Sequence, residues 1–131
     1  MPSSPDEARF AGVRWIAGAL CLLVLGTCAL THGAVFVTSG SMEPALYAGD
    51  LVIYRRLGAT PLPGEMLVFE HDGERVVHRV LLVTESGELR TKGDANTVAD
   101  RDVVAVAGVR GVPVVIVPVG RLVRSFAARE H

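Results

Sequence analysis

The sequence predicts a mostly β protein, with an N-terminal transmembrane helix followed by a small antiparallel β domain. Two observations carry this prediction. No Asp, Glu, Lys or Arg occurs from Trp15 to Met42, and short Val-, Leu- and Ile-rich runs separated by Gly, Pro, Asp and Asn clusters follow. The first pattern is typical of a membrane span and the second of a compact sheet. At 131 residues the chain has room for one such segment and one small domain.

The apolar run predicts a transmembrane helix over residues 15–34, after a cytoplasmic N-terminus of residues 1–14. About 20 apolar residues cross a hydrocarbon core of ~30 Å. Arg9 and Arg14 precede the run, so the positive-inside rule predicts a single pass through the cell membrane with an extracytoplasmic β domain. Two alternatives remain open, namely a cleaved secretory signal and a lipoprotein signal ending at Cys28.

The rest of the chain predicts a β domain over residues 35–117 and a C-terminal tail over residues 118–131. Turn signals such as Asp72-Gly73 separate the apolar runs and are typical of hairpins. The tail predicts one short amphipathic helix, with contact to the membrane surface as an open alternative. The predicted strands are Ala34–Thr38, Leu51–Arg55, Met66–Glu70, Arg75–Thr84, Glu88–Lys92, Val103–Val109 and Val112–Val117.

Charge and cysteine placement exclude some classes of function. A formal net charge of −1 and 5% aromatic residues argue against nucleic-acid binding. Cys21 and Cys28 both lie in the apolar run, so they cannot cross-link the β domain. We predict neither a metal nor a cofactor.

Two segments of the β domain carry a candidate nucleophile and a candidate base. Ser39 and Ser41 flank a glycine just past the apolar run. A serine becomes a useful nucleophile only beside a base, so the pair alone is most simply a solvated turn. His78 lies in the segment RVVHRVLLVT and is, by itself, most simply a hydrogen-bonded core residue. Period-2 alternation places four of this segment's side chains on one strand face: Val76, His78, Val80 and Leu82.

A third segment, TKGDANTVAD, supplies carboxylates. Asp94 and Asp100 lie in it, and loop carboxylates usually cap turns. A serine, a histidine and an aspartate in one small domain can nevertheless form a nucleophile, a base and a group that orients the base. We therefore treat the three segments as one hypothesis.

The same segments resemble the type I signal peptidases, specifically the branch of the endoplasmic reticulum, archaea and some Gram-positive bacteria, peptidase family S26B. The resemblance rests on SGSMEP, then Gly49-Asp50, then GE before MLVF, then VVHRV, then TKGDAN with Asp100, all in the family's order. It covers roughly Trp15 to Gly111 and implies the β fold shared by signal peptidases and LexA-like proteins.

The resemblance also implies roles for individual residues. Ser41 matches the nucleophile, and Ser39 matches the residue whose hydroxyl joins the Ser41 N–H in the oxyanion hole. His78 matches the general base that replaces a lysine in this branch. Asp100 matches the aspartate that orients the histidine, and Asp94 is the alternative acid.

Two further residues are candidate members of the site. Lys92 is the only lysine in the chain, and it lies in the TKGD block rather than at the HRV position expected of a lysine base. Asp102 is a candidate acid by spacing alone. Ala95 and Ala99 stand where some relatives carry Asn and Asp, which favours Asp100 as the acid.

The function implied is that of signal peptidase I, a membrane-anchored serine endopeptidase and hydrolase. It removes N-terminal signal peptides from exported precursor proteins at the outer membrane surface, after small residues. The implied partners are these precursors and membrane lipid, with accessory subunits and oligomeric state left open. The alternatives are a related protease for a narrow set of precursors and a non-catalytic, membrane-anchored β interaction module.

Ser41 lies seven residues beyond the predicted span, under ~25 Å even if the chain is extended.

Overall fold

The computed structural model describes residues 5–56, 58 and 60–129. The chain divides into two compact units, one ending at Thr31 and the other beginning at His32. The first four residues of the predicted cytoplasmic segment and the last two of the predicted tail lie outside the described residues.

The first unit contains helix α1, Pro5–Thr31. Its segment Arg9–Thr31 is long and apolar enough to cross a membrane, by length and composition only. The helix ends earlier than the predicted residue 34 because the sheet takes up the next residues. Gly33 pairs with Tyr54 of the neighbouring strand, and the Tyr54 ring lies so close that no Cβ fits there. Strand pairing thus overrides the helical preference of the apolar run.

The second unit contains one antiparallel sheet of six strands, and this confirms the predicted fold class. The strand order is β1-β2-β6-β3-β4-β5, so the last strand in the chain is inserted between the second and third. The strands are β1 His32–Phe36, β2 Leu51–Arg55, β3 Met66–His71, β4 Glu74–Val83, β5 Leu89–Lys92 and β6 Val109–Val117.

The predicted strand Val103–Val109 is wrong. Before Val109, which pairs with Phe69 as the first residue of β6, Val104 pairs in an isolated bridge to Leu89, and a 3₁₀ turn over Val106–Gly108 follows. Val104 exchanges both backbone hydrogen bonds with Leu89, each 2.8 Å long, and its side chain is buried. The apolar pattern therefore marked one anchoring residue and the start of β6, rather than a strand of its own.

Two hydrophobic clusters stabilise the second unit. Side chains of β3 enter both of them, because successive residues of a strand point to opposite faces. The first cluster comprises Met42, Leu46, Val52, Tyr54, Val68 and Val77. The second comprises Leu67, Phe69, Val80, Leu89 and Val104. Burial on both faces explains why β3 is continuously apolar from Met66 to Phe69.

The β3–β4 hairpin turns at the predicted Asp-Gly pair. Asp72 and Gly73 have φ values of 50° and 78°, the left-handed conformation that a two-residue hairpin loop requires. A bulge in the β4–β5 pairing lies between Val80 and Leu82, so Leu82 is half exposed instead of facing inward with His78 as the alternation predicted.

The tail contains helix α2, Val119–Ala127, which packs on the connection between β1 and β2. Gly120 lies against the backbone of Ala48 and Asp50, where a Cβ would collide with main-chain atoms. The buried Asp50 carboxylate accepts hydrogen bonds from the Tyr47 N–H at 2.9 Å and the Arg121 N–H at 3.2 Å. A carboxylate at this end of a helix stabilises it by satisfying its first N–H groups.

Candidate active site

Ser41 lies in the connection after β1 and is held by the loop after β5. The Ser41 carbonyl accepts a hydrogen bond from the Ala95 N–H at 2.8 Å. Gly93 lies directly beneath, where a Cβ would come within 2.5 Å of the Ser41 carbonyl oxygen. The next residue, Met42, is buried in the first cluster, and its sulfur accepts the Asp94 N–H at 3.4 Å. Packing and backbone contacts therefore position the Ser41 hydroxyl.

His78 projects from β4, and its Nε2 atom lies 3.1 Å from Ser41 Oγ. The residue is 9% exposed, and the Phe69 ring meets the imidazole edge-on with 6.1 Å between ring centroids. These contacts limit the imidazole to one orientation. Such a distance lies within the reach a general base needs to abstract a hydroxyl proton.

Asp100 lies on the other side of the imidazole, 2.6 Å from His78 Nδ1 through its Oδ2 atom. The buried Thr91 hydroxyl donates to the same oxygen at 2.6 Å, and Arg90 donates to the Asp100 carbonyl at 3.1 Å. A carboxylate at Nδ1 favours the tautomer that carries the proton there. The Nε2 lone pair then faces the Ser41 hydroxyl.

Ser39 lies beside the nucleophile candidate, with its Oγ atom 3.2 Å from Ser41 Oγ. Its side chain is exposed, so it is open to a ligand. The structure thus brings together the four predicted residues Ser39, Ser41, His78 and Asp100.

The alternative acid, Asp94, binds elsewhere. Its two carboxylate oxygens accept from Arg79 Nε at 2.9 Å and Arg79 Nη2 at 2.6 Å, a bidentate ion pair. Hydrogen bonding to Arg79 holds the pKa of Asp94 below its usual value, with the charges of Arg79, Lys92 and His78 acting in the same direction. Asp94 is therefore engaged by a cation that cannot act as a proton acceptor.

Among the described residues, neither of the two remaining candidates joins the Ser41–His78–Asp100 array, although Asp102 lines a surface depression that also contains Ser41 and His78. Lys92 donates from Nζ to the carbonyl of Gly93 at 3.0 Å and to the carbonyl of Asn96 at 2.8 Å. Asp102 is exposed. Within the described part of the chain, neither side chain makes a hydrogen bond to Ser41 or His78.

Sequence reasoning missed Thr91 and Arg79. Alternation in LRTK does place Thr91 on the buried face with Leu89, so a buried hydroxyl was detectable. Its partner, Asp100, was not, because the two residues meet only through the fold of the intervening loop. Arg79 follows His78 directly, and its role depends on the same loop.

Two depressions in the surface meet at the serine pair. The larger, with a volume of about 580 Å³, contains Ser41, His78 and Asp100 together with apolar side chains that include Phe69 and Val104. The smaller, about 180 Å³, lies between residues 36–39, which begin with the last residue of β1, and residues 74–77 of β4. A chain lying across both would pass Ser41 Oγ.

The Ser41, His78 and Asp100 side chains are arranged with the geometry of a serine-peptidase site. Residues 19–112 match the Peptidase S24-like family, and the chain belongs to that family. The match includes all four residues that the structure brings together.

Individual relatives are signal peptidase subunits. The chain is 45% identical over 74 residues to "Signal peptidase complex catalytic subunit SEC11C" of Homo sapiens, covering 51% of this chain and 38% of the relative. It is 40% identical over 72 residues to the sec11 subunit of Dictyostelium discoideum, and this match covers 50% of this chain and 40% of the relative. It is 42% identical over 71 residues to the SEC11 subunit of Candida albicans (strain WO-1), and this match covers 50% of this chain and 43% of the relative. These matches confirm the resemblance to the endoplasmic-reticulum branch, over less than half the length of each relative.

Proposed function

We propose that this chain is a membrane-anchored serine endopeptidase that removes N-terminal signal peptides from exported precursor proteins and cleaves after small residues. The observation that carries the proposal is the continuous hydrogen-bonded array from Ser41 through His78 to Asp100. The names of the relatives supply the substrate class.

In the proposed mechanism, His78 Nε2 takes the Ser41 hydroxyl proton as Oγ attacks the scissile carbonyl carbon. Asp100 keeps the imidazole oriented and stabilises the imidazolium that forms. The Ser41 N–H and the Ser39 hydroxyl bind the oxyanion, and one such donor typically contributes about 10²–10³ in rate.

The intermediate then collapses to an acyl-enzyme. His78 gives its proton to the leaving amine, and the C–N bond of the substrate breaks. Water, deprotonated by the same nitrogen, attacks the acyl carbon and releases Ser41 with its proton restored. Phe69 and Asp100 hold the His78 imidazole in one orientation through both half-reactions.

Substrate binding is assigned to the edge of β1 and the smaller depression. β1 lies at one edge of the sheet, and an extended peptide can add to such an edge by main-chain pairing. The space between residues 36–39 and 74–77 is only about 180 Å³. Its size supports a preference for small side chains near the scissile bond.

We propose that α1 is a single-pass anchor in the cell membrane, with the N-terminus cytoplasmic and the β domain at the outer surface. Arg9 and Arg14 on the N-terminal side support this orientation. Ser41 follows the end of α1 by ten residues, at most about 36 Å of chain. A signal peptide held in the same bilayer would meet this serine at a raised effective concentration.

The test is cleavage of a labelled precursor by the full chain reconstituted in lipid vesicles. Ser41→Ala and His78→Ala should each abolish processing, while Lys92→Met should retain it. If Ser41→Ala cleaves at the wild-type rate, the peptidase proposal fails. Loss in Lys92→Met with activity retained in His78→Ala would move the base to the lysine. A panel of unrelated precursors separates a general peptidase from one dedicated to few substrates.

A non-catalytic β interaction module is the alternative, and its sheet edge at β1 is compatible with that role. It predicts that Ser41→Ala leaves every measurable property unchanged. The relatives' names describe subunits of a complex, so assembly with accessory subunits is also proposed, to be measured by the mass of the detergent-solubilised particle.

A further inference from the structure

Helix α2 is amphipathic with its faces reversed relative to a surface helix of a globular protein. Its polar face is directed towards the β domain and its apolar face towards the surroundings. The side chains of Leu122, Val123 and Phe126 are 53%, 62% and 65% exposed, and Val119 at 40% continues the same stripe. At helical spacing of three and four residues, these four side chains form one face.

The polar face contacts the β domain, which fixes the direction of the apolar one. The Arg121 guanidinium lies 4.7 Å from the Tyr47 ring centroid, and that of Arg124 lies 5.5 Å from it. Arg124 also binds Glu43 at 3.1 Å. With Gly120 packed on the main chain and Asp50 holding the first turn, α2 cannot turn its apolar stripe inward without losing these contacts.

The sheet beside α2 presents a second uncovered apolar surface. Paired residues in antiparallel strands share a face, and the face opposite the buried Val52 and Tyr54 is apolar across three strands. The Phe36 side chain on this face is 61% exposed. The face comprises Ala34, Phe36, Leu51, Ile53, Val115 and Val117. Its last residue lies two positions before α2 begins.

We propose that α2 lies in the surface of an anionic lipid bilayer, with Leu122, Val123 and Phe126 inserted among the acyl chains. Charge supports lipid as the occupant. Residues 119–129 include Arg121, Arg124 and Arg129 and no acidic residue, the composition of a helix that binds anionic headgroups. The Arg124 side chain is 55% exposed despite its contacts, so it can also reach a headgroup.

Chain connectivity supports the same occupant. β1 begins at the residue after α1 ends, and its five residues span about 17 Å. Beyond β1, Val37 is hydrogen-bonded to Gly49 and Asp50, the connection on which α2 packs. Six residues of chain therefore lead from the end of α1 to Val37, which is bonded to the connection on which α2 packs.

The test places a fluorescent probe on each face of α2 in the full chain. Cys21→Ala and Cys28→Ala remove the native thiols, and Val123→Cys carries an environment-sensitive fluorophore. Ser125→Cys is the matched control because it is exposed on the same helix but lies off the apolar stripe. The labelled chains are reconstituted in phosphatidylcholine vesicles with or without phosphatidylglycerol, each with and without lipids carrying a quencher in the acyl chain.

We expect blue-shifted emission at position 123, with quenching several-fold stronger than at position 125 and enhanced by phosphatidylglycerol. Equal quenching at the two positions overturns the proposal. Blue-shifted emission at 123 without quenching also overturns it, since a protein surface would then cover the stripe. Phe126→Cys repeats the measurement at a second position in case one label disturbs the helix. The same result in a Ser41→Ala background shows that lipid contact does not depend on the proposed peptidase activity.

Discussion

His78 and Arg79 are consecutive residues of β4, yet they serve two different regions of the molecule. Each binds a carboxylate from the segment between β5 and β6, with contacts of 2.6 Å from His78 to Asp100 and from Arg79 to Asp94. Because neighbouring strand residues point to opposite faces, the two pairs lie on opposite sides of β4. One pair contacts the nucleophile candidate, and the other holds the loop beneath it.

The difference between the pairs is the proton. Histidine can gain and lose one near neutral pH, whereas arginine stays charged, so only the first pair can take part in proton transfer. The Arg79–Asp94 pair fixes geometry, since the Asp94 N–H donates to the Met42 sulfur and the next N–H, that of Ala95, donates to the Ser41 carbonyl. A cation and a carboxylate at hydrogen-bonding distance therefore do not identify an active site. What distinguishes the His78–Asp100 pair is that His78 also contacts the candidate nucleophile, Ser41.

Asp100→Asn tests the His78–Asp100 pair most directly, and we expect the largest loss of activity from this change. An amide can hold His78 in the wrong tautomer and cannot balance an imidazolium, and in serine peptidases this change costs about 10⁴ in kcat. Precursor cleavage at saturating substrate measures it. Asp102→Asn, two residues along, is the matched control and should stay within a few-fold of wild type. Equal losses in the two variants would reject Asp100 as the orienting acid.

Gly93→Ala tests the supporting region without touching a charged group. The added Cβ would meet the Ser41 carbonyl oxygen at 2.5 Å and Ser41 Cβ at 3.0 Å, so the serine must shift. A displacement of ~1 Å near the reacting atoms can cost about 10²-fold in rate. Gly58→Ala, where nothing lies within 4 Å of the added Cβ, is the control and should be neutral. Wild-type kinetics in Gly93→Ala would show that the loop does not position Ser41.

Thr91→Val sharpens the comparison within the His78–Asp100 region. Valine conserves the shape of threonine but removes the hydroxyl that donates to Asp100 Oδ2 at 2.6 Å. We expect kcat to fall by about tenfold, as for loss of one hydrogen bond to a charged group, with little change in KM. Thr91→Ser should recover most of the rate. Failure of serine to rescue would indicate a packing role instead.

Asp94→Asn should have the smallest effect, expressed in the acid stability of the β domain. The pKa of Asp94 is lowered in the folded protein, so its contribution to the free energy of unfolding is present above the ordinary aspartate value of about 3.9. That contribution is lost as pH falls through the lowered folded value. Thermal unfolding of the detergent-solubilised chain between pH 7 and pH 3 should therefore show a shallower acid loss in Asp94→Asn. Screening by solvent limits the difference, since Arg79 is 34% exposed.

The Arg79→Gln variant provides the control, because it removes the other half of the same pair. If the Arg79–Asp94 ion pair causes the stabilisation, the double variant that carries Asp94→Asn and Arg79→Gln should be no less stable than the more destabilised single variant. Additive effects of the two changes would mean that Asp94 and Arg79 stabilise the protein separately.

Much of the fold followed from local patterns. Alternation and turn residues predicted β2 at its observed bounds and the hairpin at Asp72-Gly73, because both are governed by neighbours in the chain. The predicted strand Val103–Val109 was wrong because an apolar run marks burial without saying what it pairs with. The end of α1 was misplaced for a similar reason, since Tyr54 draws Gly33 into the sheet.

The sequence by itself determined which side chains were available for chemistry, including Ser41, His78 and both candidate acids. The family resemblance favoured Asp100 over Asp94, but spacing in the chain could not show their contacts, since both lie in one loop within a few residues of each other. The tertiary structure decided those contacts, by directing Asp100 to His78 on one face of β4 and Asp94 to Arg79 on the other. The physical reason is that hydrogen bonds depend on distances of about 3 Å, and such distances between remote residues exist only after the chain has folded.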